Sequence, residues 1–447
     1  TWLSEFNSPT YTPISLAAFA EAAEFADTEE LRTLARQAEQ RVWDDIAAHW
    51  HGPTVQPAGP YSRAYECDRV AQFTSLHVPV WLVSGRDCPL DPIKSLFPPP
   101  GAQVIHHTDD LRFVQGFTAA LGAAPYHPAP GLNTRLWEKR FPVSVAGDCE
   151  AGTSGPTPVD GRPRVLYGCT NNYTTTWLSA GSSLGTSRRP FLDGNQSCAF
   201  YATWRKRNRV HGLGDLRSCF AGYAVDDFSP GQANRTVLFP QGLDRDQVYD
   251  HGRCVTLQYQ GTALVLYRPK LELAGRPLKR LALQISLPLH AGKAPAVYFG
   301  SNLLAAGRGQ SAQAESVTVR EGGTVLHFRP LLLGELTRCR ATTLVEIRNR
   351  YLVISWLNFE DWNPRAFSEL ELAACGNGFL CQLREAAPSM PLKRLLPELT
   401  SGSVTDEFYA DRRRVGFTGA DVSLTLDWCP FTETIQSATI NGENAPV

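Results

Sequence analysis

Two short stretches near the N-terminus concentrate side chains able to hold an anion and move a proton. Glu5-Phe-Asn-Ser-Pro-Thr-Tyr11 sets an amide, a hydroxyl and a phenol ahead of an apolar helical pattern, and Ala58-Gly-Pro-Tyr-Ser-Arg-Ala-Tyr65 adds two phenols and a guanidinium. An arginine holds a carboxylate through two parallel hydrogen bonds, and an amide can share that role. A phenol beside such a cation gives up its proton below its ordinary pKa of about 10, which suits a base, and a neutral phenol can protonate a leaving oxygen. Asn7, Tyr61, Arg63 and Tyr65 are therefore candidate catalytic residues, and Tyr11 a candidate ligand contact. The plain alternative is an aromatic-rich loop packed on helix ends.

A second concentration begins with Tyr167-Gly-Cys-Thr-Asn-Asn-Tyr-Thr-Thr-Thr-Trp177. It continues through Trp204-Arg205-Lys-Arg-Asn-Arg209-Val-His211. Aromatics next to a basic run suit an anionic polymer, so Trp177, Trp204 and Arg205 are expected to bind substrate, with His211 as a second proton carrier. The plain alternative is a pair of strands with a solvated basic end. His106-His107 followed by Asp109 and Asp110 is not read as a metal site, because adjacent histidines point to opposite sides and helix capping explains the aspartates. No metal and no cofactor is expected. The chain has no Gly-x-Ser-x-Gly elbow, phosphate-binding Walker loop or His-Glu-x-x-His. An acid pair for glycoside hydrolysis leaves no fixed spacing; Glu360 and Asp361 beside Trp362 are the candidates.

The elements that must position these groups follow from periodicity. Thr12-Pro13 reads as a helix start, with Leu16, Phe19, Ala20, Ala23 and Ala26 recurring at three- and four-residue steps. Asp27 is expected to end that helix and cap the next, with Glu30 completing a capping box. Leu31, Leu34, Ala35, Ala38, Val42, Ile46 and Ala47 then form the stripe of an antiparallel partner. The loop after this second helix returns toward the start of the first, which places Asn7, Tyr11, Tyr61, Arg63 and Tyr65 on one face. A third helix is expected from Thr108 or Asp109 to about Leu121.

From about residue 132 the period becomes two. Hairpins are predicted at Gly261, at Gly322-Gly323, near Asn349 and at Gly419. Successive hairpins without intervening helices give antiparallel sheets stacked as a sandwich. The expected fold class is α+β: a short helical N-terminal part over 1–130 followed by a large antiparallel β-sandwich over 131–447, open to division into two sub-sheets. At 447 residues the chain is long enough for two or three domains of roughly 150 residues.

The motifs Glu-Phe-Asn-Ser-Pro-Thr-Tyr before a helical hairpin and Ala-Gly-Pro-Tyr-Ser-Arg-Ala-Tyr after it resemble the heparinase and alginate-lyase type of polysaccharide lyase. In that superfamily an α/α-toroid precedes an antiparallel β-sandwich, with the active site between them. The resemblance implies β-elimination on uronic-acid glycosides, with Asn7 at the uronate carboxylate and Tyr61 or Tyr65 transferring the proton. It covers residues 1–70 specifically and extends to 165–207. The three helices are fewer than a toroid needs, so the helical part reads as a toroid remnant, with upstream helices expected on another fragment of the same precursor. A glycoside hydrolase and a non-catalytic secreted carbohydrate-binding protein are the alternatives.

Lys and Arg number 43 against 44 Asp and Glu, a balance that gives no basic excess for nucleic acid. No apolar run reaches the 18 residues of a membrane span. Eleven spread-out cysteines without a C-x-x-C pair, the sequons at Asn172, Asn195 and Asn234, and a first residue Thr1 in a chain whose sole methionine is Met390 point to a processed, secreted glycoprotein with disulfides. Cys375 and Cys381 are the closest pair, with a turn expected at Gly376-Asn377-Gly378. The expected partner is an acidic polysaccharide or oligosaccharide.

Overall fold

A computed structural model describes residues 5–64, 74–85, 119–150, 153–154, 165–166, 171–191, 197–211, 213–226, 250–289, 293–331, 336, 342–348, 351–409 and 411–447. The chain folds as α+β, with its longest helices at the N-terminus and antiparallel sheets making up most of the rest. No helix among the described residues is long and apolar enough to cross a membrane.

Helix α1 (Tyr11–Phe25) begins two residues before Pro13, the expected first helical residue, with the Tyr11 N–H donating to Ser8 Oγ at 3.1 Å. Helix α2 (Glu29–His49) is capped by Thr28 rather than Asp27, since Thr28 Oγ1 accepts from the Leu31 N–H at 3.2 Å. The hairpin buries Ala20 and Ala23 along α1 and Ala35 and Glu39 along α2, and its large apolar side chains are buried toward the base. Leu16, Val42, Trp43, Ile46 and Trp50 join Leu76, Val78 and Val80 in and around α3 (His77–Ser84), and Leu132 and Leu136 of α4 (Leu132–Trp137), in one apolar cluster. At the tip, Leu31 and Leu34 are each 53% exposed, so the predicted stripe fails in its first turn. The helical cluster thus includes α4, beyond residue 130. The predicted third helix lies outside the described residues except from 119 onward, as do His106, His107, Asp109 and Asp110.

The connector before α4 is clamped to the hairpin by His127. Its Nδ1 lies 2.9 Å from Glu39 Oε2 and its Nε2 3.2 Å from Glu24 Oε2, while Glu39 Oε1 accepts from the Trp43 indole. Burial alone lowers the His127 pKa, but the two carboxylates outweigh it and hold the pKa above the ordinary value. A raised folded pKa stabilises the protein fully below the unfolded value of about 6.5, and the contribution is lost as pH rises through the folded value. The loss of unfolding free energy caused by His127→Gln is therefore expected to be larger at pH 5.5 than at pH 8.5 in urea titrations. Equal losses at both pH values would contradict the clamp.

Three large sheets follow, all with antiparallel pairings, besides two two-stranded ribbons, Trp50–His51 with Gln56–Pro57 and Thr153–Ser154 with Val165–Leu166. The nine-stranded sheet runs edge to edge through Gly309–Ser311, Thr343–Arg348, Tyr351–Ala366, Pro277–Pro288, Leu216–Val225, Phe200–Arg205, Ser182–Ser187, Asn171–Leu178 and Val143–Glu150. The seven-stranded sheet runs through Gly252–Tyr259, Thr262–Pro269, Asn377–Glu385, Thr324–Pro330, Val317–Glu321, Ala296–Phe299 and Asn302–Leu303. The five-stranded sheet holds Ser403–Tyr409, Arg412–Thr418, Ser423–Cys429, Thr434–Ile440 and Glu443–Asn444 in chain order.

The seven-stranded sheet is the middle layer, and strand 262–269 shows why. Ala263, Val265 and Tyr267 face the nine-stranded sheet with Trp204, Leu283 and Trp356. The alternate residues Leu264 and Leu266 face the five-stranded sheet with Phe417, Leu426 and Trp428. A strand buried on both faces reads as a continuous apolar run, as Ala-Leu-Val-Leu-Tyr does. The four predicted hairpins are present, with Tyr259 opposite Thr262, Glu321 opposite Thr324, Arg348 opposite Tyr351 and Thr418 opposite Ser423.

Cys375 and Cys381 are not joined. Strand 377–385 runs extended where a turn was expected, so at about 3.3 Å per residue the two α-carbons stand well beyond the roughly 7 Å that a disulfide spans. Cys149, Cys198, Cys219, Cys254, Cys381 and Cys429 are likewise buried thiols without a bridge, and Cys67, Cys88, Cys169 and Cys339 lie outside the described residues.

Candidate functional site

The loop before α1 and the loop after α2 do meet, and what they build is a closed seam. Asn7, held at φ +50°, donates from Nδ2 to Pro60 O at 3.0 Å and Ala58 O at 3.4 Å. The Ser62 N–H reaches Phe6 O at 3.1 Å, and Arg63 Nε pairs with Glu5 Oε1 at 3.3 Å over the ring of Phe191. Tyr61 exchanges both backbone hydrogen bonds with Cys198, and its ring meets Tyr201 edge-on at 4.9 Å.

The seam is pressed onto the outer face of the nine-stranded sheet. Thr176 Oγ1 donates to Gly59 O at 2.7 Å. His51 lies 2.8 Å from Ser179 O through Nε2 and 2.8 Å from Thr54 Oγ1 through Nδ1. A carbonyl can only accept, so His51 Nε2 carries the proton. Burial holds its pKa down at about 4, which keeps the ring neutral.

These contacts change the roles expected of the motif. Tyr61 is 1% exposed, donates its hydroxyl to Pro57 O, and has its pKa pushed far up by burial. It cannot serve as a base and instead fixes the loop. Asn7 is committed to two carbonyls of the same loop. Tyr65 lies outside the described residues. Tyr11 is on the surface at the start of α1, 47% exposed.

The second group divides along its strands. Trp177 and Trp204 face away from the seam, toward the middle sheet, because Thr176 and Tyr201 occupy the outer positions. Trp204 is fully sealed there, its indole donating to Glu321 Oε2 at 3.1 Å, so it cannot stack a sugar. His211 is exposed on the connection after strand 200–205, where its backbone N–H meets Asp215 Oδ2 at 2.9 Å. Trp177 and Arg205 remain available at the ends of their strands.

At that end of the stack, turns from all three sheets surround two adjoining clefts. The larger, of about 430 Å³, is lined by Phe141, Trp177, Tyr259, Arg384, Glu398 and Asp421, among others. The smaller, of about 350 Å³, is lined by Arg205, Lys206, Arg207 and Asn208 opposite Gly322-Gly323 and Ala386-Ala387-Pro388. Glu385 belongs to both. Its Oε1 accepts from Ser179 Oγ at 2.7 Å, Gly181 N at 2.6 Å and Ser182 Oγ at 2.9 Å, which leaves Oε2 for a ligand hydroxyl.

Arg205, Lys206 and Arg207 against Glu385 and Asp215, which pairs with Arg207 at 3.3 Å, leave the smaller cleft with one more cation than carboxylates, while the larger pairs aromatic rings with carboxylates. The carboxylate and aromatic pattern of the larger cleft escaped the sequence reading, because Tyr259, Glu385 and Asp421 are each ordinary turn or strand-end residues until three sheets bring them together. The acid candidates Glu360 and Asp361 lie elsewhere: Glu360 stands 3.8 Å from Arg280, and Asp361 accepts from the Asn363 N–H.

The expected glycan acceptor Asn172 is also committed. It is 3% exposed, its Nδ2 donates to Arg189 O, and its Oδ1 accepts from the N–H groups of Tyr173 and Arg189. Asn195 and Asn234 lie outside the described residues.

Residues 1–121 are similar to a family described as a domain of unknown function, DUF8769. No curated protein matches the chain.

Proposed function

We propose that this protein binds an acidic glycan across the two clefts at the end of its sheet stack. The observation that carries the reading is their junction at Glu385, with aromatic rings on one side and a cationic wall on the other. A pyranose ring stacks on Trp177 and Tyr259, its hydroxyls donate to Glu385 Oε2 and Asp421, and the uronate carboxylate of the next unit meets Arg205 and Lys206. Cavities of this size are ordinary for small ligands, and a few placed polar groups in an aromatic wall set orientation. Charge-assisted hydrogen bonds to a carboxylate add about 1.5–3 kcal/mol each where water is excluded.

Cleavage by β-elimination is the second reading. It is favoured by the convergence in one seam of Asn7, which the lyase resemblance implies at the uronate carboxylate, and Arg63, whose guanidinium suits the same role. With Tyr61 sealed, its proton carrier is Tyr65.

One assay separates the readings. The protein is incubated with alginate, a glucuronate gum and a heparin-like chain, while ultraviolet absorbance of unsaturated uronate, reducing ends and retention are followed together. Retention without product supports binding alone, absorbance and reducing ends rising together support the lyase, and reducing ends alone support a hydrolase. Neither retention nor product on any of the three would overturn the proposal.

A further inference from the structure

The ridge between the two clefts is the turn that joins strand 171–178 to strand 182–187. Ser179 and Ala180 line the larger cleft and Gly181 the smaller, so Gly181 stands where the two adjoin. Both charged groups of the junction hang on this one residue. Its N–H donates to Glu385 Oε1 at 2.6 Å, and its carbonyl accepts from the Arg205 backbone N–H at 3.0 Å. Gly181 is not among the glycines held at positive φ, so its backbone conformation does not demand a glycine.

What the missing side chain supplies is room. A β-carbon at position 181 would stand 3.1 Å from Arg205 Nε and 3.3 Å from Glu385 Oε1, inside ordinary van der Waals separation. A cation and a carboxylate therefore approach one point from two sides. Arg205 spends Nη1 on Asn208 O at 2.7 Å, which leaves its Nε and Nη2 donors, and Glu385 keeps Oε2. Two groups this close are not met by distant sugars of a chain. They match what flanks a single glycosidic link, a hydroxyl of one unit and the carboxylate of the next. The paired bonds from a guanidinium to a carboxylate depend on its placement, so a small displacement of Arg205 weakens them.

We propose that Gly181 is a specificity-determining residue of the junction: it holds Arg205 and Glu385 at the spacing of one glycosidic link, so that the ligand recognised is a linked pair of sugars, one of them a uronate, and not a single acidic sugar. The role rests on the glycan reading above, to which it adds the smallest unit recognised. Gly181 acts by positioning Arg205 and Glu385. A methyl group at 181 pushes one or both away from the link and leaves the Trp177 and Tyr259 rings in place.

The test is ligand-observed nuclear magnetic resonance titration of the full chain with glucuronate, a glucuronate-containing disaccharide and the carboxyl-reduced disaccharide. It is run on the wild type, Gly181→Ala, Arg205→Ala and the double variant, each checked for fold by circular dichroism. Gly122→Ala is the control, because nothing lies within 4 Å of its added carbon. The wild type is expected to bind the uronate disaccharide at least about tenfold tighter than glucuronate or the reduced form. Gly181→Ala is expected to weaken the disaccharide at least about fivefold and glucuronate less than about twofold. Because Gly181 acts through Arg205, the double variant loses less than the two single losses combined. No wild-type binding of the disaccharide would overturn the glycan reading and the role of Gly181 with it. The role of Gly181 alone is overturned if the wild type binds glucuronate as tightly as the disaccharide, if Gly181→Ala leaves disaccharide binding unchanged or weakens both ligands equally, or if the losses simply multiply in the double variant.

Discussion

Gly185→Ala is expected to destabilise the protein by about 3 kcal/mol or more, through the seam between its helical part and its sheets. A β-carbon at position 185 would stand 1.9 Å from Gly59 O, 2.2 Å from Gly59 C and 2.5 Å from Pro60 N. All three are backbone atoms, so no side chain can swing aside, and Gly59 is also pressed on Tyr201, the cross-strand partner of Gly185, whose β-carbon lies 2.7 Å from the Gly59 Cβ position. The loop must lift off the sheet, which breaks the Thr176–Gly59 hydrogen bond and uncovers Tyr61 and Tyr201. Overpacking a core by a methyl costs about 1–3 kcal/mol where neighbours can relax, and a backbone-to-backbone clash sits above that range. Urea unfolding checks it, with Gly214→Ala as a control because nothing lies within 4 Å of its added carbon. A loss below about 1 kcal/mol at Gly185 would mean that the seam is not closed.

Arg413→Met has a comparable expected effect at the other inter-sheet boundary. Arg413, 1% exposed, grips Asp406 with Nε at 3.0 Å and Nη2 at 2.7 Å. The same guanidinium donates to Asn377 O at 2.6 Å and Leu331 O at 2.7 Å, tying the five-stranded sheet to the middle one. Methionine keeps most of the volume but leaves a carboxylate and two carbonyls without donors. Removing one partner of a buried ion pair costs about 3–5 kcal/mol, mostly through the charge left behind. The expected result is a fall of that size in unfolding free energy, with Arg413→Lys recovering part of it. Wild-type stability in Arg413→Met would show that the sheet is held by its apolar contacts alone.

Legibility in the sequence followed the range of the interaction. The hairpins at Gln260-Gly261 and Gly322-Gly323 were readable because turn chemistry is local, and strand alternation on either side fixed their register. That fold class could be read from the same signals. Alternation also puts Trp177 and Trp204 on one face, yet it is silent on where the second sheet ends. Trp204 falls over Glu321 and is sealed, whereas Trp177, near its strand end, lines a cleft.

The convergence of Asn7 and Arg63 was likewise legible from an antiparallel hairpin. Their commitment was not, because the acceptors of Asn7 are carbonyls, which every residue carries. Leu31 and Leu34 misled for a similar reason: a helical stripe shows which side can be buried, and only the neighbours decide how far along the helix burial extends.

The central claim is acidic-glycan recognition at the junction of Trp177 and Arg205, and a binding titration tests it most directly. Glucuronate oligosaccharide is added to the wild-type chain, Trp177→Ala and Arg205→Glu, with a neutral oligosaccharide of equal length as reference. The account predicts saturable wild-type binding, at least about tenfold weaker in each variant and for the neutral sugar, a difference of about 1.4 kcal/mol or more. Saturable binding that both variants retain at wild-type strength, or no binding by the wild type, would contradict it.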